Sequence, residues 1–118
     1  MLVATLAGCG GALPARNDPA KARSFHCTKS DAKPERGLCT VDDVDTCRSA
    51  VTVASNDGLF MSPCVAQPWA WCAVGNTGSD RLFVCGPDAV SCESQRDDAQ
   101  RRGEIHSTGF CVKRTISK

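Results

Sequence analysis

The fold is decided by residues 27–64, which read CTKSDAKPERGLCTVDDVDTCRSAVTVASNDGLFMSPC and contain Cys27, Cys39, Cys47 and Cys64. Residues 72–111 contain a second set of four cysteines, Cys72, Cys85, Cys92 and Cys111. Taken in order, the two sets stand 45, 46, 45 and 47 residues apart. A constant offset of this kind is most simply explained by an internal duplication.

Each half of this pattern predicts the same order of elements. A short β-prone piece surrounds the first cysteine, a polar loop follows, and a second strand ends at the second cysteine. An aspartate stands four residues before the third cysteine, Asp43 in one half and Asp88 in the other, where it can cap a helix. A third strand holds the fourth cysteine. We therefore expect a small, disulfide-rich α+β fold of two tandem β-β-α-β units, residues 25–67 and 68–118.

The cysteine content predicts four disulfides. Nine cysteines in 118 residues are typical of small exported domains and rare in the reducing cytosol. We expect two disulfides in each unit and none between units. Four cysteines allow three connectivities, and we lean towards first with third and second with fourth. The reason is that the helix of each unit is expected to cover the face of the hairpin that carries the cysteines.

The helix of the first unit is also expected to bury one apolar stripe. Its members recur at helical spacing and are Val44, Cys47, Val51 and Ala54. The helix of the second unit is mostly polar. The predicted helix stops are Asn56-Asp57-Gly58 in the first unit and Gly103 in the second.

The N-terminus carries a different signal. Residues 1–8, MLVATLAG, are uncharged and precede Cys9, and Leu6-Ala7-Gly8-Cys9 resembles the lipobox of bacterial lipoproteins. The resemblance implies a diacylglyceryl group on Cys9, removal of residues 1–8 as a signal peptide, and acylation of the new amine. Cysteine parity agrees, because setting Cys9 aside leaves eight cysteines that can all pair.

The resemblance also implies a place and a partner for the chain. Anchoring at Cys9 would attach it to a membrane of the cell envelope through the N-terminal lipid. Gly10 stands where an aspartate often signals retention at the inner membrane, which favours the outer membrane or the cell surface. Residues 9–24 are rich in Gly, Ala and Pro, and we expect them to form a flexible tether between anchor and fold.

The remaining residues offer little chemistry. A formal net charge of +1 argues against nucleic acid as a partner. C-x-x-C is absent, which disfavours a redox site and the usual zinc sites, and we expect neither metal nor cofactor. His26 and His106 are each interpreted as ordinary side chains. The acidic cluster Asp42, Asp43 and Asp45 is explained by helix capping rather than by calcium.

Trp69 and Trp71 are the candidate binding residues. In a strand they point away from Cys72, so the apolar face they form either packs on the first unit or recognises a partner. We favour packing in a seam between the two units.

The leading functional hypothesis is a non-enzymatic binding or structural module with a protein or envelope partner. The alternatives are an inhibitor of a secreted hydrolase, acting through Ser30–Arg36 or Gly75–Asp80, and more distantly an enzyme.

Overall fold

The computed structural model describes residues 15–106 and 108–116, so Cys9 and the predicted signal peptide lie outside the described part of the chain. Six strands and two helices occur in the described residues. They are β1 Phe25–Thr28, β2 Leu38–Val41, α1 Val44–Asn56, β3 Val65–Gln67, β4 Trp69–Thr77, β5 Asp80–Gly86, α2 Ala89–Arg101 and β6 Val112–Thr115. The prediction of a small mixed fold of strands and helices, held by disulfides, is confirmed.

The six strands form one antiparallel sheet in the order β3-β1-β2-β5-β4-β6. The element order β-β-α-β occurs in residues 25–67 and again in residues 69–115. The two halves meet edge to edge, where Cys39 of β2 lies opposite Cys85 of β5. The expectation that the apolar strand face of the second unit packs on the first unit is therefore wrong.

Four of the cysteines form a row across the middle of this sheet. Cys27 lies opposite Cys39, Cys39 opposite Cys85, and Cys85 opposite Cys72. Directly opposed residues of antiparallel strands point to the same face. These four side chains share a core cluster with Phe25, Val41, Ala70 and Ala22. The residues that alternate with them, such as Ala73 and Val84, pack instead with Cys92 and Ala99 of α2.

The helices thus cover the face opposite the cysteine row, which corrects the predicted connectivity. Each hairpin closes on itself through Cys27–Cys39 and Cys72–Cys85, both with Cα atoms 4.1 Å apart. Each helix is tied to the segment that follows it through Cys47–Cys64 and Cys92–Cys111, with Cα separations of 6.2 and 6.1 Å. Pairing is therefore first with second and third with fourth. No disulfide in the described residues joins the two halves.

Both helices begin at the predicted aspartates. The Thr46 amide donates to Asp43 at 3.0 Å, and the Ser91 amide donates to Asp88 at 2.8 Å. The Ser91 hydroxyl also accepts from the Asp88 amide at 3.3 Å, which completes a capping box. The predicted stops are confirmed as well: α1 and α2 are followed by Gly58 and Gly103, whose φ angles of 85° and 77° suit glycine.

Residues 15–24, predicted as the end of a flexible tether, lie against the sheet. Ala15 and Phe83 exchange two backbone hydrogen bonds of 2.9 and 2.7 Å. The Asn17 side chain donates to the Val41 carbonyl at 2.8 Å. The amides of residues 23 and 24 both donate to Asp42 at 2.9 Å. Any tether to Cys9 therefore ends before Ala15.

Candidate functional site

The two helices differ in how much of their surface the sheet covers. α2 buries four residues, Ser91, Cys92, Gln95 and Ala99. α1 buries Cys47 alone, although its sequence is the more apolar of the two. Val44, Val51 and Ala54, predicted to be buried with Cys47, are only half-buried. The predicted stripe of α1 is thus in part left open to solvent.

The cause lies in the residue that follows the second cysteine of each half. After Cys85 comes Gly86, where an added Cβ would lie 2.3 Å from Ser91 Oγ and 2.9 Å from the Cys92 amide nitrogen. The first turn of α2 therefore rests directly on the Gly86 backbone. After Cys39 comes Thr40, whose side chain occupies that space and donates to the Asp43 carbonyl at 2.5 Å. Because threonine has a Cβ at this position, α1 cannot approach the backbone of β2 as closely as α2 approaches the backbone of β5.

The connection into α1 is also one residue longer than the connection into α2. Between Thr40 and the capping Asp43 stand Val41 and Asp42, whereas Pro87 alone separates Gly86 from Asp88. Asp42 takes the left-handed conformation, with φ 54°. The two helices therefore follow the sheet through connections of different length and conformation.

A groove of about 140 Å³ lies between α1, β2 and the N-terminal segment. Its walls are mainly apolar, and the apolar residues that line it include Leu38, Val41, Ala50, Val53, Ala54, Leu59, Met61 and Phe83. Concave apolar surface with a few polar groups at its margin is the usual character of a ligand site. We take this groove, which sequence reasoning missed, as the candidate functional site.

The groove extends into a fork between β2 and β5. These strands pair only at Cys39 and Cys85, and beyond that pair Ala15 takes the place of β2 beside Phe83. Ala15 and Asn17 both line the groove. The N-terminal end of the described chain is thus part of the site.

Two charged residues stand at the margins of the groove. Arg36 and Asp43 both line it, and they flank the two ends of β2. The hydroxyl and the amide of Thr46 donate to the Asp43 carboxylate and lower its pKa, and His26 contributes in the same direction. Neither Arg36 nor Asp43 belongs to an ion pair within the described residues. The groove therefore carries a positive charge at one end and a negative charge at the other.

Trp69 and Trp71 lie outside this groove. Trp71 is half-buried and packs against the core cluster that contains Cys92 and Ala99, on the side of the sheet that α2 covers. Trp69 is 39% exposed, and the Lys113 ammonium lies 5.4 Å from the centre of its ring. The prediction that these residues bury a seam between two units is wrong, because the halves meet through β2 and β5.

The two loops considered for an inhibitor have different structures. Within Ser30–Arg36, Ser30 is buried, its hydroxyl accepts from the Lys33 amide at 3.1 Å, and a 3-10 turn covers Pro34–Arg36. Gly75–Asp80 is not a loop. Its residues belong to β4 and β5 except for Gly78 and Ser79, which form a tight turn.

The histidines and the acidic residues do not assemble into a site in the described part of the chain. His26 is half-buried and its Nδ1 atom has no hydrogen-bond partner, while His106 is exposed and pairs through its backbone with Asn76. Among the described residues, no group of His, Cys, Asp and Glu side chains is placed to hold a metal ion.

None of the described helices has the length and apolar character needed to cross a membrane. Comparison of the chain with protein-family models, with curated proteins and with solved structures found no match.

Proposed function

We propose that this chain is a non-enzymatic binding module, anchored to the cell envelope by a lipid on Cys9, that takes up an apolar group in the groove beside α1. The observation that carries the proposal is the groove itself. Its α1 wall, which includes Ala50, Val53 and Ala54, is only half-buried, and covering half-buried apolar side chains removes apolar surface from water. Two elements and the N-terminal segment converge on it.

The lipid anchor at Cys9 is supported by the disulfide pairing of the other cysteines. All eight cysteines from Cys27 to Cys111 are paired with one another, so none is left to pair with Cys9. The sequence Leu6-Ala7-Gly8-Cys9 supplies the context for lipid attachment. Since Ala15 lies six residues after Cys9, an extended chain of about 20 Å would join the lipid to the groove. Gly10 favours the outer membrane or the surface as the location.

The duplication belongs to the same proposal. Two copies of one β-β-α-β unit explain the matched cysteines, the matched helix caps and the single sheet that both halves share. On this view the half with Gly86 keeps its helix close to the sheet, and the half with Thr40 has opened a binding groove. Divergence between two copies is a simple route to one site in a chain with two similar halves.

The binding function is tested with the neutral fluorescent probe N-phenyl-1-naphthylamine and the full chain carrying Cys9→Ser. We expect a saturable rise in probe emission at one site per chain. Val53 lines the groove, so Val53→Phe fills it and is expected to weaken probe binding at least about tenfold.

The matched control is Thr52→Phe, which places the same ring on the exposed side of the same helix. It should bind the probe like the parent chain. Thermal melts of both variants report whether the fold is kept. Equal probe binding by the Val53→Phe and Thr52→Phe proteins would place the probe elsewhere and contradict the proposal.

A further inference from the structure

We infer that the ligand of the groove is a fatty acid, with its hydrocarbon chain along α1 and its carboxylate on Arg36. This inference rests on the proposed function, because it names the ligand of the same groove. It is carried by the chemistry of the lining, by the placement of the two charges, and by the nearness of the groove to the proposed anchor.

The lining suits an alkyl chain. Apart from Phe83, the apolar residues of the groove are aliphatic or contain sulfur, and they include Val53, Leu59 and Met61. The flexible thioether of methionine adapts to chains of different shape. The volume of about 140 Å³ is close to the roughly 150 Å³ of an apolar cavity that takes up benzene. The groove therefore holds part of one chain, and its open side lets a longer chain continue.

Arg36 suits the carboxylate. Its guanidinium is always charged and offers paired donors that match the two oxygens of a carboxylate. Arg36 lines the groove and precedes β2. It is half-buried, which strengthens such a pair relative to one in open water. Within the described residues it forms no ion pair that a ligand would have to displace.

The opposite end of β2 is unsuited to an anion. Asp43 carries a negative charge there. The Thr46 amide and hydroxyl already donate to Asp43 at 3.0 and 2.6 Å, so they are not available as hydrogen-bond donors for an anion at the start of α1. A carboxylate is repelled at that end and attracted at the Arg36 end. The two charges together set the orientation of the ligand.

The source of such a ligand is the membrane. The proposed lipid on Cys9 would hold Ala15, and with it the groove, within about 20 Å of the bilayer surface. Free fatty acids partition into that surface. A groove held at this distance is placed to exchange them with the bilayer.

Calorimetric titration of the full chain carrying Cys9→Ser tests the inference, with dodecanoate, dodecanol and dodecyltrimethylammonium below their micelle concentrations. The three ligands share one tail and differ in the charge of the head. We expect dodecanoate to bind at one site and at least about tenfold more tightly than the cationic ligand, because only the carboxylate pairs with Arg36.

Arg36→Gln is expected to weaken dodecanoate about tenfold and to leave dodecanol unchanged. Arg48→Gln makes the same change at an exposed arginine of α1 that does not line the groove, and it should leave dodecanoate binding as in the parent chain. Val53→Phe should abolish binding of both ligands. Dodecanoate binding that is no tighter than that of the cation, or that Arg36→Gln leaves unchanged, would overturn the inference.

The failure of this inference is distinguishable from that of the proposed function. If N-phenyl-1-naphthylamine binds in the groove and dodecanoate does not, the groove remains a binding site and the fatty acid is the wrong ligand. If Val53→Phe affects neither the probe nor dodecanoate, the groove is not the binding site and both proposals fall.

Discussion

Replacing Cys47 and Cys64 together by alanine is expected to lower the free energy of unfolding by about 3 kcal/mol and to release α1 from the sheet. The disulfide closes a segment with a sequence separation of 17, and restricting a loop of that size in the unfolded chain accounts for the figure of about 3 kcal/mol. The release of α1 follows from packing, because Cys47 is the one residue that the helix buries. Binding in the groove should be lost with it.

The matched control is the double replacement of Cys92 and Cys111. That disulfide has a similar sequence separation of 19, so the loss of global stability should be about the same. α2 differs from α1 because it keeps Ser91, Gln95 and Ala99 buried without the disulfide. It should therefore stay folded against the sheet.

Urea unfolding measures the change in stability, and hydrogen exchange of the helix amides measures the local effect. We expect the α1 amides of the first double variant to lose protection far below global unfolding, while the α2 amides of the second keep it. Equal protection of the two helices would show that α1 is held by contacts other than its disulfide.

A single methyl group at position 86 is the second change with a large expected effect. In Gly86→Ala the new Cβ would lie 2.3 Å from Ser91 Oγ and 2.9 Å from the Cys92 amide nitrogen. The second is a backbone atom of α2, so the helix has to move away from β5. Crowding of a packed contact typically costs about 1–3 kcal/mol, and loss of the capping box at Asp88 adds about 1 kcal/mol. We expect urea unfolding to show a loss of about 2–4 kcal/mol.

Gly109→Ala provides the control for this change. The nearest atom to a Cβ at that position is Val74 Cγ1 at 3.8 Å, which is an ordinary contact. Its stability should stay within about 0.5 kcal/mol of the parent chain. If Gly86→Ala behaved like Gly109→Ala, the close approach of α2, and with it the explanation for the groove beside α1, would be wrong.

The order of elements could be predicted from the sequence because it depends on local signals. The spacing of the cysteines marks the strands, and Asp43 and Asp88 mark the helix starts through hydrogen bonds to amides three residues away. The glycines after each helix act within one turn. Signals of this range do not depend on how the rest of the chain packs.

The disulfide connectivity could not be predicted in the same way, because it depends on which face of the hairpin the helix covers. Cys39 lies opposite Cys27 across the hairpin, and this register brings the two together on the face away from α1. The pairing of β2 with β5 at Cys39 and Cys85, which joins the two halves, is likewise a long-range contact. No local pattern specifies it.

One difference between the two halves of the sequence relates to the groove. An aligned comparison of the two halves places Thr40 after one cysteine and Gly86 after the other, and α1 has more apolar residues than its buried area uses. Trp69 and Trp71 were instead predicted as the binding residues, because they are large and aromatic. The small difference between threonine and glycine, rather than the large aromatic residues, separates the two halves.

The intact mass of the mature protein, made from its gene in a bacterium that processes lipoproteins, decides whether Cys9 carries the anchor. Anchoring at Cys9 predicts a chain that begins at Cys9, carries a diacylglyceryl group and partitions with detergent, while Cys9→Ser stays in the aqueous phase. After reduction and alkylation the same chain should show eight alkylated cysteines, those from Cys27 to Cys111. A mature chain that keeps Met1 and carries nine alkylated cysteines would contradict the anchor and the placement of the groove at a membrane.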